Sequence, residues 1–243
     1  MEFKLKKSII LLPTILMFSF SDINIKLEKN VKINVKEPSA LSYNLNKTGF
    51  LTVGDSDSTI HELDFNGKTI TTIKTKASDL EGIIAHPDLN GYCFVEERIK
   101  KISCFDQNGT LIKSKAIPFT TAFNQGFEGI TYNSRNKHFY VVNEKKPTAI
   151  IELDSDLNLI KSTTINYAID LSDIYYDEKD DQFYILSHES KKIIVTDANF
   201  TQIKSYGIPT IVQAEGLVVD KENNKIYVVS DDDSIMTTFS INQ

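Results

Sequence analysis

The sequence predicts an all-β fold, a five-bladed β-propeller closed by an N-terminal strand. Three observations carry that reading. An acidic residue precedes a short apolar strand five times, at Glu37, Glu81, Glu128, Asp173 and Glu215, in steps of 44, 47, 45 and 42 residues. That period matches one four-stranded blade of roughly 40 to 50 residues. Between the acids, β-branched and aromatic runs such as Tyr227-Val228-Val229 alternate with turns rich in Asn, Asp and Gly, and no stretch keeps a helical period. The fifth repeat also ends one strand short, while the alternating segment Ile23 to Val35 belongs to no repeat and can complete it as an outer strand. Six blades is the alternative, if that segment is a degenerate blade of its own.

The elements follow in chain order. Lys4, Lys6 and Lys7 precede an apolar run from Ile9 to Phe20 interrupted by Pro13, with Ser19 and Ser21 at the two positions a signal peptidase reads. The run is short for a membrane span, which needs roughly 20 apolar residues. Residues 1–21 are therefore expected to be a signal peptide, or alternatively an uncleaved anchor in the inner membrane. Residues 22–243 form one propeller domain, periplasmic or secreted. The third repeat shows the blade plan: Ile130 to Tyr132, the turn Asn133 to Lys137, the strand His138 to Val142, Glu144, the strand Ala149 to Leu153, the turn Asp154-Ser155-Asp156, and Leu159 to Ile165. Asn, Asp and Gly tolerate the conformations that such tight hairpins require.

Composition narrows the partners. A net charge of -6 and a pI near 5.3 argue against nucleic acid, which demands clustered Lys and Arg on one face. Lysine pairs such as Lys100-Lys101 and Lys191-Lys192 fall in or beside hairpins and read as solvated turn and edge charges. Nothing in the composition asks for an oligomer, and a monomer is expected.

Propeller topology gives the acids a common place. The innermost strand starts beside the axis, and the loop after the second strand returns to the same mouth. A second polar position follows each second strand: Asp55, Glu97, Glu144, His188 and Asp231. Both sets should face one opening, where converging carboxylates repel unless protons, a cation or basic ligand groups intervene. Oxygen-only ligands spread over separate blades suit calcium, so Glu81, Glu128 and Glu215, joined by Glu37 and Asp173, are the expected metal ligands. The second set would contact the ligand. The competing reading is structural, with acids accepting backbone N–H bonds at blade junctions and the glycines after Glu81, Glu128 and Glu215 permitting close packing at the axis.

The runs Phe127-Glu128-Gly129-Ile130, Asn143-Glu144-Lys145-Lys146-Pro147, Leu186-Ser187-His188-Glu189-Ser190 and Gln213-Ala214-Glu215-Gly216 resemble the SdiA-regulated family of bacterial exported β-propellers. The resemblance spans about residues 30 to 243. It implies a propeller behind an export or anchor segment, with calcium on the axis and no established activity. Glu37-Pro38 and Ser172-Asp173 depart from the Glu-Gly pattern and weaken those two positions as ligands.

Two function classes remain open. The first is a binding module whose acidic face holds calcium and a small molecule, glycan or protein segment. The second is a metal-dependent esterase, lactonase or phytase-like hydrolase at the same place, with His188 the first candidate for a general base. Against catalysis, His61, His86 and His138 fall elsewhere, and no Gly-x-Ser-x-Gly nucleophile motif is present. Asn46, Asn108 and Asn199 match glycosylation acceptors but sit in hairpin turns. Cys93 and Cys104, the only cysteines, lie directly opposite one another if their hairpin turns at Arg98-Ile99. Opposed Cβ atoms about 4.5 to 5.5 Å apart can pair in an oxidising compartment, the alternative being two reduced core thiols.

Overall fold

A computed structural model describes residues 23–56, 58–121 and 125–241. The expected leader, residues 1–21, lies outside them. Five antiparallel sheets of four strands are arranged around one axis. The first blade is β2 (Ser42–Tyr43), β3 (Gly49–Gly54), β4 (Thr59–Asp64) and β5 (Thr69–Lys74), and the second is β6 (Leu80–His86), β7 (Gly91–Glu96), β8 (Lys101–Asp106) and β9 (Leu111–Ala116). The third comprises β10 (Phe127–Asn133), β11 (His138–Asn143), β12 (Ala149–Leu153) and β13 (Leu159–Thr164), and the fourth β14 (Asp173–Asp177), β15 (Gln182–Ser187), β16 (Lys192–Thr196) and β17 (Gln202–Gly207). The fifth takes β18 (Ala214–Asp220), β19 (Lys225–Ser230) and β20 (Ile235–Ser240) from its own repeat. Its outer strand is β1 (Lys26–Lys32), antiparallel to β20 from Lys26↔Ser240 to Lys32↔Ile235. The blade count is therefore five, with the N-terminal strand closing the ring. Among the described residues no helix is long and apolar enough to cross a membrane.

Strand alternation explains the packing. Successive side chains point to opposite faces of a blade, so a strand buried on both faces feeds two seams. In β11, Phe139 and Val141 join the cluster shared with the second blade, whereas Tyr140 and Val142 join that shared with the fourth. Five apolar clusters fill the five seams. Cys93 and Cys104 face each other across β7 and β8 and are joined as a disulfide in the seam between the second and third blades.

The hairpins repeat one design. In four blades the turn between third and fourth strands is organised by an aspartate, Asp64, Asp106, Asp154 or Asp197, whose Oδ1 accepts backbone N–H bonds from the residues two and four positions on. The next-to-last loop residue is left-handed: Gly67 and Gly109 occupy it in two blades, Leu157 and Phe200 in the others. Hairpins between first and second strands place Lys47, Asn90, Lys137, Asp181 and Asn224 in the same strained region, at φ between 46° and 63°. A left-handed residue with a Cβ costs roughly 1–2 kcal/mol, partly offset because glycine loses more entropy on folding.

Two substitutions test this account by chemical denaturation. Lys47→Gly, at an exposed left-handed turn, should raise stability by about 0.5 kcal/mol. Gly216→Ala should lower it by roughly 3 kcal/mol or more, because a Cβ there would lie 2.6 Å from Val229 Cγ2 and closer still to the Ala40–Leu41 backbone.

Candidate functional site

The site grows out of strand register. At or just past the end of each first strand one residue is aligned with the start of the second: Asn44 with Gly49, His86 with Gly91, Asn133 with His138, Asp177 with Gln182 and Asp220 with Lys225. Five residues before these stand Ser39, Glu81, Glu128, Ser172 and Glu215, in or just ahead of each first strand. These five form the inner ring of an axial cavity of about 400 Å³. Above it lie Asp55, Glu97, Glu144, His188 and Asp231, each at the same place after its second strand. Loops add Lys145, Asp170, Glu189 and Gln213, so nine carboxylates meet one lysine and one histidine.

Eight of the ten residues expected at the mouth therefore line it, and two do not. Glu37 lies two residues outside the ring position that Ser39 fills; it is solvated, pairs with Lys36 at 3.5 Å and sits at a left-handed turn. Asp173 lies one residue past Ser172, at the place of Gly82, Gly129 and Gly216. Its carboxylate accepts N–H bonds from Ile174 at 2.8 Å and Leu217 at 2.7 Å, with Leu41 a third donor. It thus ties the fourth blade to the fifth and the first. Both placements fail for one reason: selecting acids by their chemistry shifted the register, whereas counting back from the hairpin recovers two serines.

The carboxylates are strained electrostatically. Burial drives Glu81 and Glu128 well above the usual carboxylate range, and the neighbouring charges Asp55 and Glu97 on the first, Glu81 and Glu215 on the second, push the same way. Glu215 is raised to about 8 by burial and by the charges of Asp231 and Asp170. Asp55, Glu97 and Asp231 are raised as well, burial being the first cause of each. Some acids have partners: Glu97 Oε1 accepts the Gly126 N–H at 2.8 Å, and Asp170 holds the Ser187 hydroxyl and the Glu189 N–H. Asp231 Oδ1 is buried without a partner among the described residues. Oxygens of Asp55, Asp79 and Glu81 lie within 4.8 Å of one another, spacing that a single cation can bridge. Asp79 was not foreseen; its oxygens also engage Arg98 through the backbone N–H at 2.9 Å and the guanidinium at 3.2 Å.

His188 has a defined role. Its Nδ1 accepts the Ala214 N–H at 3.1 Å, and burial lowers its pKa, so the neutral ring carries its proton on Nε2. It offers the cavity a donor rather than a base.

A closed ring of five four-stranded blades around an oxygen-rich axial cavity defines a β-propeller whose one mouth concentrates negative charge. The chain belongs to the SdiA-regulated family, whose model matches residues 17–236. Among solved structures it is similar to a protein of unknown function from Bacteroides caccae, with 9% identity, a TM-score of 0.57 and coverage of 79% of this chain and 70% of that one. It is also similar to Kuenenia stuttgartiensis hydrazine synthase, at 14% identity, TM-score 0.55, and 82% and 56% coverage. Virginiamycin B lyase from Staphylococcus aureus gives 15% identity, TM-score 0.54, and 84% and 66% coverage. These likenesses are of fold.

The assignment of Asp173 to structure has a measurable result. Asp173→Asn should lower stability by about 1–3 kcal/mol through one orphaned backbone donor, while any calcium-dependent gain in melting temperature stays intact. Loss of that gain in Asp173→Asn would return the residue to the ligand set.

Proposed function

We propose that this propeller is an exported binding module that holds calcium at its axial mouth, through Glu81, Glu128 and Glu215 with Asp55 beside them. The observation that carries the reading is the crowding of nine carboxylates with one lysine in a single cavity, Asp231 Oδ1 among them buried without a partner. The donor set fits the ion: all oxygens, from separate strands, as a hard and geometrically tolerant cation accepts. Calcium would neutralise part of the charge and offer remaining coordination positions to a small molecule, glycan or protein segment. The leader-like residues 1–21 and the Cys93–Cys104 disulfide support a location outside the cytoplasm.

Binding is favoured over hydrolysis because, with Nδ1 engaged, neutral His188 has no acceptor left to serve as general base.

The pH dependence has a definite sign. Glu215 binds its proton more tightly folded, at about 8, than unfolded, near the ordinary glutamate value of 4.5, so metal-free stability falls as pH rises between those values. Glu81 and Glu128 act in the same direction. His86, held by burial at about 4, stays neutral above pH 6.5 and adds nothing there. Between pH 6.5 and 8 the melting temperature in EDTA should therefore fall, and the gain from millimolar calcium should grow, as the ion displaces protons. Glu128→Gln should leave the EDTA-treated protein as stable as before or more so and abolish most of the calcium gain. A melting temperature that calcium does not move at pH 8 would overturn the metal reading, and EDTA-sensitive ester turnover lost in His188→Ala would replace it with hydrolysis.

A further inference from the structure

We propose that the outer strand of the first blade, β5, is a self-association edge on which a second copy of the chain pairs antiparallel across a two-fold axis.

A propeller closes its sheets around the axis but leaves one unpaired edge at the outside of every blade, and proteins blunt such edges with charge, above all lysine. The repeat does this at one position in three blades: Ile112-Lys113-Ser114 in β9, Ile160-Lys161-Ser162 in β13 and Ile203-Lys204-Ser205 in β17. In the fifth blade, β1 carries Lys26, Glu28, Lys29 and Lys32. The first blade differs. β5 reads Thr69-Ile70-Thr71-Thr72-Ile73-Lys74, so Thr71 stands where the other repeats have lysine, and no charge precedes the last residue. Ile70 is 58% exposed and Ile73 37%. The register shift near the start of the outer strand recurs in the first four blades and does not set β5 apart. The missing lysine does.

The backbone of β5 is placed to pair. Thr75 N–H donates to Ser58 O at 3.0 Å, and Lys74 stands opposite Thr59. Backbone groups alternate in direction along a strand, so Thr72 and Lys74 turn their N–H and C=O away from β4. No strand among the described residues covers that side. In the fourth blade the position of Thr72 is taken by Ser205, whose outward carbonyl accepts the Ile23 N–H at 2.7 Å beside a parallel bridge from Ile23 to Tyr206. The molecule thus already adds chain to an outer edge at this point.

The occupant follows from the lack of charge. An edge with no charged side chain to pair selects an uncharged, β-branched strand, and among the described outer strands β5 alone is uncharged up to its last residue. It is its own complement. A two-fold axis at Thr72 sets that residue opposite itself and Ile73 opposite Thr71 of the other copy, cross-strand pairs that β-branched residues favour. The two Lys74 side chains then lie at opposite ends of the ladder. One strand pair falls below the standard interface area, which makes the dimer weak and concentration-dependent.

Sedimentation velocity of the purified protein, up to about 1 mM, should show a reversible monomer–dimer equilibrium. Thr71→Lys sets two like charges at diagonal cross-strand positions about 7–8 Å apart and should weaken dimerisation at least tenfold, with the melting temperature unchanged. Ser162→Lys, the same change on the exposed outer strand of the third blade, should alter it less than twofold. In a chain of net charge -6 an added lysine lowers overall repulsion, so a loss at Thr71 reports the edge itself. Thr72→Cys should give a disulfide-linked dimer on mild oxidation, and Ser114→Cys, at the equivalent place in β9, should not. A wild type that stays monomeric would overturn the proposal. So would an undiminished dimer in Thr71→Lys, equal loss in Ser162→Lys, or cross-linking by Ser114→Cys in preference to Thr72→Cys.

Discussion

Five inner strands must approach one axis, and that crowding governs the rest of the molecule. At Gly82, Gly129 and Gly216 there is no room for a side chain; a Cβ on Gly129 would lie 2.5 Å from Asp173 Cα and 2.8 Å from Ile174 N. Each strand therefore packs backbone against the next, and the residue one step nearer the mouth is projected into a shared space. Where that residue is glutamate, three carboxylates are forced together by backbone geometry alone. The electrostatic strain of the cavity and the close packing of the ring have a single origin. Asp173 is the exception that completes the arrangement, since its side chain occupies the space the glycines leave free and binds the backbone of two other blades.

The division of labour between seams and axis separates stability from chemistry. Aromatic and aliphatic residues on both faces of the middle strands fill five seams, so each blade contributes to two clusters. The polar groups that line the axial cavity sit where strands begin or turn, outside those clusters. Changing Glu81 or Asp231 removes charge repulsion without opening an apolar cavity. Substitutions at the mouth therefore change its charge without loosening the seams.

The fold was legible because blade period, turn chemistry and strand alternation all agree, and because Ile23 to Val35 had nowhere else to pair. The Glu-Gly pairs at residues 81, 128 and 215 also read correctly, since the glycine marks the axis and the acid marks the mouth. Ser39 and Ser172 were missed because two blades break that chemical signature while keeping its position. A constant offset from the first hairpin would have found them. Asp79, Asp170, Lys145 and Glu189 were less accessible: they come from loops, and which of them meet is decided by contacts between blades about 44 residues apart, such as Lys145 with Glu189.

The pairing of β1 with β20 also orders events in time. The first strand made is the last to find its partner, because β20 follows it by some two hundred residues of chain. Until then blade five lacks its outer strand and the ring stands open between its first and last blades. In that state the seam between the first and last blades has no strap across it, so the closing strand holds the ring's two ends in register only once β20 is in place.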